Sequence, residues 1–361
     1  MSRIYNFSAG PSMLPLEVLE KAGAGITDYA GSGMSVMEMS HRSKVFDEII
    51  VNTKALFREV LGIPEDYDVL FMQGGATAQF AAVAMNLLSG KGAADYVISG
   101  NFSNNAYKEA LLFGKDIRVA GTTKDENFTR IPRQDELTLN PGADYVHICE
   151  NNTIYGTKWQ YVPDTGGVPL VADMSSCILS EPVDVSKYGI IYAGVQKNIA
   201  PAGMALVVIR KDLLRDPIPG TPTILNYKTT AEKDSMYNTP PCWTIFISML
   251  VLEWIKDLGG LPEMQRRNRE KAALLYDYLD STDFYVAPNL PADRSLMNVT
   301  FRTQSEELDA KFAKESAADG MSNLKGHRSV GGMRASIYNA MPKEGVEHLV
   351  AFMKEFEKNN G

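Results

Sequence analysis

Val69-Leu70-Phe71-Met72-Gln73-Gly74-Gly75-Ala76-Thr77 passes from an apolar strand, through a double glycine, into an alanine-rich helix that runs on to Leu88. Four consecutive apolar residues suit a strand covered on both faces, and the glycines supply a tight turn. The same alternation continues downstream. Tyr96-Val97-Ile98-Ser99 reads as a strand followed by a helix over residues 105–113. Further strands are expected at 117–119, 145–148, 169–172, 190–193 and 205–209. Short apolar runs bounded by Gly, Pro and Asp, alternating in part with helices, predict an α/β sheet with both faces covered.

Outward from this block the pattern changes. Upstream, helices are expected at 16–29 and 44–61, the second stopping before Ile63-Pro64. Downstream, residues 216–241 are rich in Pro, Thr and Asn and read as a loop. An apolar helix at 244–258 is stopped by Gly259-Gly260, and a helix at 262–279 follows. Strands at 297–302 and 332–337 and helices at 305–319 and 343–358 complete the chain. The division expected is a large domain over 1–259 and a smaller α+β domain over 260–361. The N-terminal segment is free to pack with the smaller one.

With 361 residues, 45% of them hydrophobic and 22% charged, the chain has material for a large core. A net charge of -8 without a Lys/Arg-rich run argues against nucleic acid or anionic membranes as partners. A few buried arginines can still build a local site for a small anion. No apolar run approaches the ~18 residues of a membrane span. The N-terminus lacks a charged-then-apolar signal pattern. Cys149, Cys177 and Cys242 are isolated, which points to a reducing cytoplasm, and no metal site is expected.

Asp173 follows an apolar strand, where open α/β sheets place ligands, although a lone Asp there is equally a helix N-cap. Lys197 ends the next strand pattern, and alone would be read as a surface charge. Together they suggest pyridoxal phosphate (PLP). That cofactor needs a lysine for its aldehyde and a carboxylate to keep its pyridine nitrogen protonated. Gln73-Gly74-Gly75-Ala76-Thr77 offers free backbone N–H groups at a helix start, a cradle for phosphate. Neither a P-loop nor a GxGxxG fingerprint is present.

The chain resembles the phosphoserine aminotransferases, in the class V group of fold-type I PLP enzymes. The resemblance runs from Tyr5-Asn6-Phe7-Ser8-Ala9-Gly10-Pro11 to the C-terminal helix. Its most specific stretches are Ser35-Val36-Met37-Glu38-Met39-Ser40-His41-Arg42, Ile191-Tyr192-Ala193-Gly194-Val195-Gln196-Lys197-Asn198, Met236-Tyr237-Asn238-Thr239-Pro240-Pro241 and residues 325–342. It implies a mostly parallel seven-stranded sheet and a homodimer with shared active sites. Lys197 would carry the cofactor and Asp173 would meet the pyridine nitrogen. Thr153 and Gln196 would contact the cofactor, and Phe102 would stack on its ring where relatives often have Trp. Ala76 and Thr77 would bind its phosphate, joined by Asn238 and Thr239 of the second subunit.

Two of the four histidines are followed by arginine: His41-Arg42 and His327-Arg328. A basic pair in a loop is ordinarily a solvated face, but two such pairs suit a dianionic phosphate. The resemblance places both at the phosphate of phosphoserine, a pocket that would also take the side-chain carboxylate of glutamate. Arg334 would bind the substrate α-carboxylate; an ion pair between lobes is the alternative. His147 and His348 receive no function. Ala9 and Thr77 stand where some relatives have Ser and Arg, which shifts weight onto the His-Arg pairs. The reaction implied is exchange of an amino group between glutamate and 3-phosphohydroxypyruvate, with the phosphorylated hydroxythreonine of PLP synthesis as a further substrate in some relatives. The rivals are an alanine–glyoxylate aminotransferase, a cysteine desulfurase, or a non-catalytic protein of the same fold. The His-Arg pairs disfavour the first, and the lack of a cysteine in a Gly/Ser-rich loop disfavours the second.

Overall fold

A computed structural model describes residues 3–361. In chain order its elements are β1 (Tyr5–Asn6), α1 (Leu16–Ala24), α2 (Lys44–Leu61), β2 (Tyr67–Gln73), α3 (Gly75–Leu87), β3 (Ala93–Ile98), α4 (Asn101–Ala110), β4 (Asp116–Thr122), β5 (Tyr145–Cys149), β6 (Asn151–Asn152), β7 (Thr157–Lys158), β8 (Leu170–Asp173), β9 (Ile190–Gly194) and β10 (Met204–Arg210). Then follow α5 (Tyr227–Glu232), α6 (Cys242–Asp257), α7 (Gly260–Asp280), β11 (Asn298–Phe301), α8 (Glu306–Ala318), β12 (Met321–Ser322), β13 (Met333–Ser336) and α9 (Lys343–Asn360).

The main sheet has seven strands in the order β2-β10-β9-β8-β5-β3-β4. β10 is antiparallel to both neighbours, and every other pair is parallel, so the sheet is mostly parallel. Reversal at β10 leaves the other strands pointing one way. The ends of β2, β8 and β9 and the start of β10 therefore meet along one edge. Residues alternate between the two faces. Val69 and Phe71 enter the core under α2 and α6, while Leu70 and Met72 enter the core under α3 and α4. Burial on both sides explains why these strands read as continuous apolar runs.

A third core gathers Phe7, Leu275, Phe301, Phe312, Met333 and Phe356. β1 pairs in parallel with β12, so the N-terminal segment joins this core. Buried polar contacts link it to the main sheet. Asn151 donates to Ser176 Oγ and Asn298 Oδ1, both at 2.8 Å, and Asn268 donates to Ser180 O and Asn339 Oδ1, both at 2.9 Å.

Three spans depart from the expected ones by more than three residues. α1 ends at Ala24 rather than 29, where Gly25 turns the chain. α4 starts at Asn101 rather than 105, because Ser103 Oγ accepts from the N–H groups of Ser99 and Gly100 and so organises its first turn. The stretch 216–241 is not all loop: Asn226 caps α5 by accepting from Thr229 N at 3.2 Å.

Candidate active site

Sheet order brings Asp173 and Lys197 together. Asp173 ends β8, and Lys197 lies three residues past the end of the adjacent β9. Both line a cavity of about 350 Å³ with Gly74, Gly75, Ala76, Thr77, Phe80, Phe102, Ser175 and Gln196. The N-cap alternative for Asp173 does not hold, since no helix follows it. Its Oδ1 instead accepts from Ser175 N at 2.9 Å and Ser175 Oγ at 2.5 Å. Ser175 Oγ in turn accepts from Gly194 N at 2.9 Å. Burial raises the Asp173 pKa, opposed by Lys197, Ser175 and Tyr192. For Lys197 the signs reverse: burial lowers its pKa, and Asp173 works against that. A lysine so placed loses its proton more readily than a surface lysine and can act as nucleophile or base.

Lys197 Nζ donates to Thr153 Oγ1 at 2.7 Å and lies 5.1 Å from the centre of the Phe102 ring. Ser12 ties the N-terminal loop to this segment, donating from its N–H to Gln196 O at 3.0 Å and from Oγ to Lys197 O. Opposite lies the start of α3. Its N-cap, Gly74, has φ +92° and no side-chain cap, so the first amides of the helix are open toward the cavity. A Cβ on Gly74 would come within 2.7 Å of Ala78 Cβ. At Gly194 a Cβ would meet Gln196 Oε1 at 2.8 Å and Ala76 N at 3.3 Å, so glycine lets strand and helix start approach.

This donor set fits PLP. The uncapped amides at Ala76 and Thr77 suit a phosphate, Phe102 an aromatic face, Asp173 a ring-nitrogen cation and Lys197 an aldehyde.

Arg334 on β13 reaches the same region, donating from Nη1 to Thr153 O at 3.2 Å. Its Nε is buried without a partner, and among the described residues no carboxylate pairs with it. The alternative of an interlobe ion pair is thereby removed. Burial lowers the guanidinium pKa. His327 lies near Arg334 and Arg328; burial and these two charges lower its pKa and favour the neutral ring. Ser329 holds that ring, Oγ lying 2.7 Å from Nδ1 and the backbone N–H donating to Nδ1 at 3.2 Å. Arg328 is exposed.

Other expected residues are not part of this cavity. His41 is half-buried with Nε2 lacking a partner, and Arg42 is exposed, both in the turn before α2. Asn238 and Thr239 are exposed beyond the end of β2, where Thr239 O accepts from Gln73 Nε2 at 2.7 Å. Ser175, Tyr192 and Ser329 carry contacts that the sequence reading did not single out. Ser175, two residues past Asp173, and Ser329, two residues past His327, had a local signal, and Tyr192 had none.

A family model for class-V aminotransferases matches residues 4–349. A phosphoserine aminotransferase of Desulfosudis oleivorans is 55% identical over 360 residues, covering 99% of each chain. The solved phosphoserine aminotransferase of Bacillus circulans subsp. alkalophilus is 47% identical and superposes with a TM-score of 0.97 over 99% of both chains. The PLP-bound phosphoserine aminotransferase of Trichomonas vaginalis is 39% identical, with a TM-score of 0.94 over 98% of this chain and 100% of the other. On this evidence the chain belongs to the phosphoserine aminotransferases, within the class-V aminotransferases.

Proposed function

We propose that this protein is a PLP-dependent aminotransferase that exchanges an amino group between L-glutamate and 3-phosphohydroxypyruvate, giving 2-oxoglutarate and O-phospho-L-serine. The observation that carries the reading is the shared cavity. Lys197, Asp173 and the uncapped start of α3 converge there, with the unpaired Arg334 beside them. Lys197, Gln196, Thr153, Phe102, Asp173, Ala76 and Thr77 would hold the cofactor, which supplies an aldehyde for the substrate amine and an electron-withdrawing ring.

The chain's own residues do the rest. Arg334 clamps the substrate α-carboxylate and so orients the Cα–H bond toward Lys197. Lys197 Nζ, its pKa lowered by burial, takes that proton and returns it on the other side of the exchange. Thr153 Oγ1, 2.7 Å away, holds the amine in place. Asp173 remains the anion that stabilises a cationic ring nitrogen. His327 and Arg328 meet the substrate phosphate. His41, Arg42, Asn238 and Thr239 act across a two-fold axis, which accounts for their exposure or placement outside their own chain's cavity. The protein is thus read as a homodimer. Three free cysteines, Cys149 and Cys177 of them buried, fit a reducing cytoplasm. Among the described residues no helix is long and apolar enough to cross a membrane. The phosphorylated hydroxythreonine shares the amino acid and phosphate groups that these residues would meet, and is a second candidate substrate.

The test is full turnover. Protein supplied with PLP and glutamate is offered 3-phosphohydroxypyruvate, and in parallel glyoxylate, while 2-oxoglutarate is measured. Release with the phosphorylated acceptor alone supports the proposal. Release with glyoxylate alone replaces it by the alanine–glyoxylate type.

A further inference from the structure

A line of buried polar side chains runs across the sheet behind Asp173. β5, β8 and β9 are adjacent, and the strand alternation puts His147, Asp173 and Tyr192 on the face covered by α3. Asp173 and Tyr192 are register partners across the parallel β8–β9 pair, so their side chains stand side by side. His147 Nε2 lies 2.8 Å from the Tyr192 hydroxyl. The imidazole stacks on Tyr96, with ring centres 4.8 Å apart and planes at 23°. All three members of the line are buried.

The free nitrogen of His147 decides where the protons sit. Nδ1 is buried and has no partner. Were Tyr192 to donate to Nε2, a neutral ring would carry its proton on Nδ1, a buried donor with no acceptor. A proton on Nε2 leaves only an unused lone pair on Nδ1, the cheaper deficiency. Burial keeps the ring neutral, pushing its pKa down to about 3. With Nε2–H donating to the Tyr192 oxygen, the Tyr192 hydroxyl hydrogen is free to turn to the neighbouring carboxylate. Consistent with this, Tyr192 opposes the rise that burial imposes on the Asp173 pKa.

We infer that His147 and Tyr192 are positioning residues for Asp173: His147 orients the Tyr192 hydroxyl so that it donates to the carboxylate and keeps it ionised. The inference rests on the reading of Asp173 as partner of the cofactor's ring nitrogen. Neither residue lines the cavity, and both act through Asp173. Ser175 supplies the other two donors to the carboxylate, on Oδ1. In this proposal the Tyr192 hydroxyl, on the adjacent strand and the same face, is the third donor. An anion buried this deeply needs such support to hold its charge.

The test compares two ligands on Tyr192→Phe: PLP, and the analogue with a CH group in place of the ring nitrogen. Dissociation constants are read from quenching of protein fluorescence, with apoprotein Tm as a folding control. Loss of one hydrogen bond to a charged group should weaken PLP by about 10-fold or more while leaving the analogue within about twofold. His147→Leu should reproduce that pattern. His147→Gln, which keeps an N–H donor, should restore PLP binding, and this pair carries the test if Tyr192→Phe does not fold. Equal weakening of both ligands would show a merely structural role and overturn the inference, as would no change in either. If the unaltered protein fails to bind PLP, the cofactor reading falls and the inference with it. PLP binding in the unaltered protein with no effect of the variants sinks the inference alone.

Discussion

Arg334 gives the sharpest separation between a functional and a structural residue. Among the described residues its side chain makes one hydrogen bond, the 3.2 Å donation to Thr153 O, its Nε is buried without a partner, and it has no acidic partner. The protein therefore carries a cation whose desolvation is uncompensated until an anion arrives. On the proposed role, Arg334→Leu would remove two hydrogen bonds to the substrate carboxylate. At ~1.5–3 kcal/mol for each bond to a charged group, kcat/KM for phosphoserine should fall by ~10²–10⁴. Arg334→Lys keeps the charge but loses the fork and should lose ~10–100-fold. Stability should move the other way. Because no ion pair is broken, the Tm of Arg334→Leu should hold or rise. The assays are steady-state kinetics and thermal unfolding on the same preparations. A Tm lowered by about 5 °C or more, with kcat/KM within about threefold, would refute the reasoning and make Arg334 a tie between the lobes.

Lys197→Ala should abolish turnover; an undiminished rate in a steady-state assay would refute its assignment. Ser175→Ala removes a donor to Asp173 and leaves the buried Gly194 N–H without its acceptor, so urea unfolding of the apoprotein should show a loss of ~2–4 kcal/mol. An unchanged midpoint would contradict that geometry. Lys271 is buried in α7 and donates to the carbonyls of Ile337, Tyr338 and Met341 at 3.1, 2.8 and 3.0 Å. Burial pushes its pKa down from 10.5 to about 7, so between these values the unfolded chain holds a proton that the folded chain lacks. Its contribution to stability is then lowest below pH 7 and rises from pH 7 toward 10.5. The unaltered protein should gain on Lys271→Met in urea midpoint across that window, and a constant difference would contradict the buried, depressed lysine.

Local signals carried much of the architecture. Most strands of the main sheet were readable as apolar runs bounded by Gly, Asp or Pro, whereas β4, with Arg118 inside it and little buried, was legible only at 117–119. The span of α2 was readable to the residue, with Ser43 accepting from Phe46 N at its start and Gly62 in the left-handed conformation at its end. α5 was hidden because its six residues sit among Pro, Thr and Asn, and the Asn226 cap looks like any loop asparagine. The start of α4 was hidden by its run of Asn and Ser, whose cap is made by Ser103 from inside the first turn.

At the site, Asp173 and Lys197 stood out because each ends a strand pattern and together they suit one cofactor. The resemblance then named residues that the cavity brings together, from Ala76 and Thr77 to Gln196. His147 and Tyr192 could not be read in the same way. Their link depends on β5, β8 and β9 being neighbours, and 45 residues separate them in the chain. Residue spacing carries no trace of that adjacency. The opposite holds for Asn238 and Thr239, which a motif marks clearly but which their own chain keeps exposed and outside the cavity.

The most direct measurement of the central claim is a half-reaction followed by the absorbance of the bound cofactor. Protein loaded with PLP is mixed with phosphoserine and, separately, with serine at the same concentration. The account predicts conversion of the cofactor to its amino form with phosphoserine alone, since His327, Arg328 and their partners select for phosphate. Equal conversion with serine, or none with phosphoserine, would contradict it.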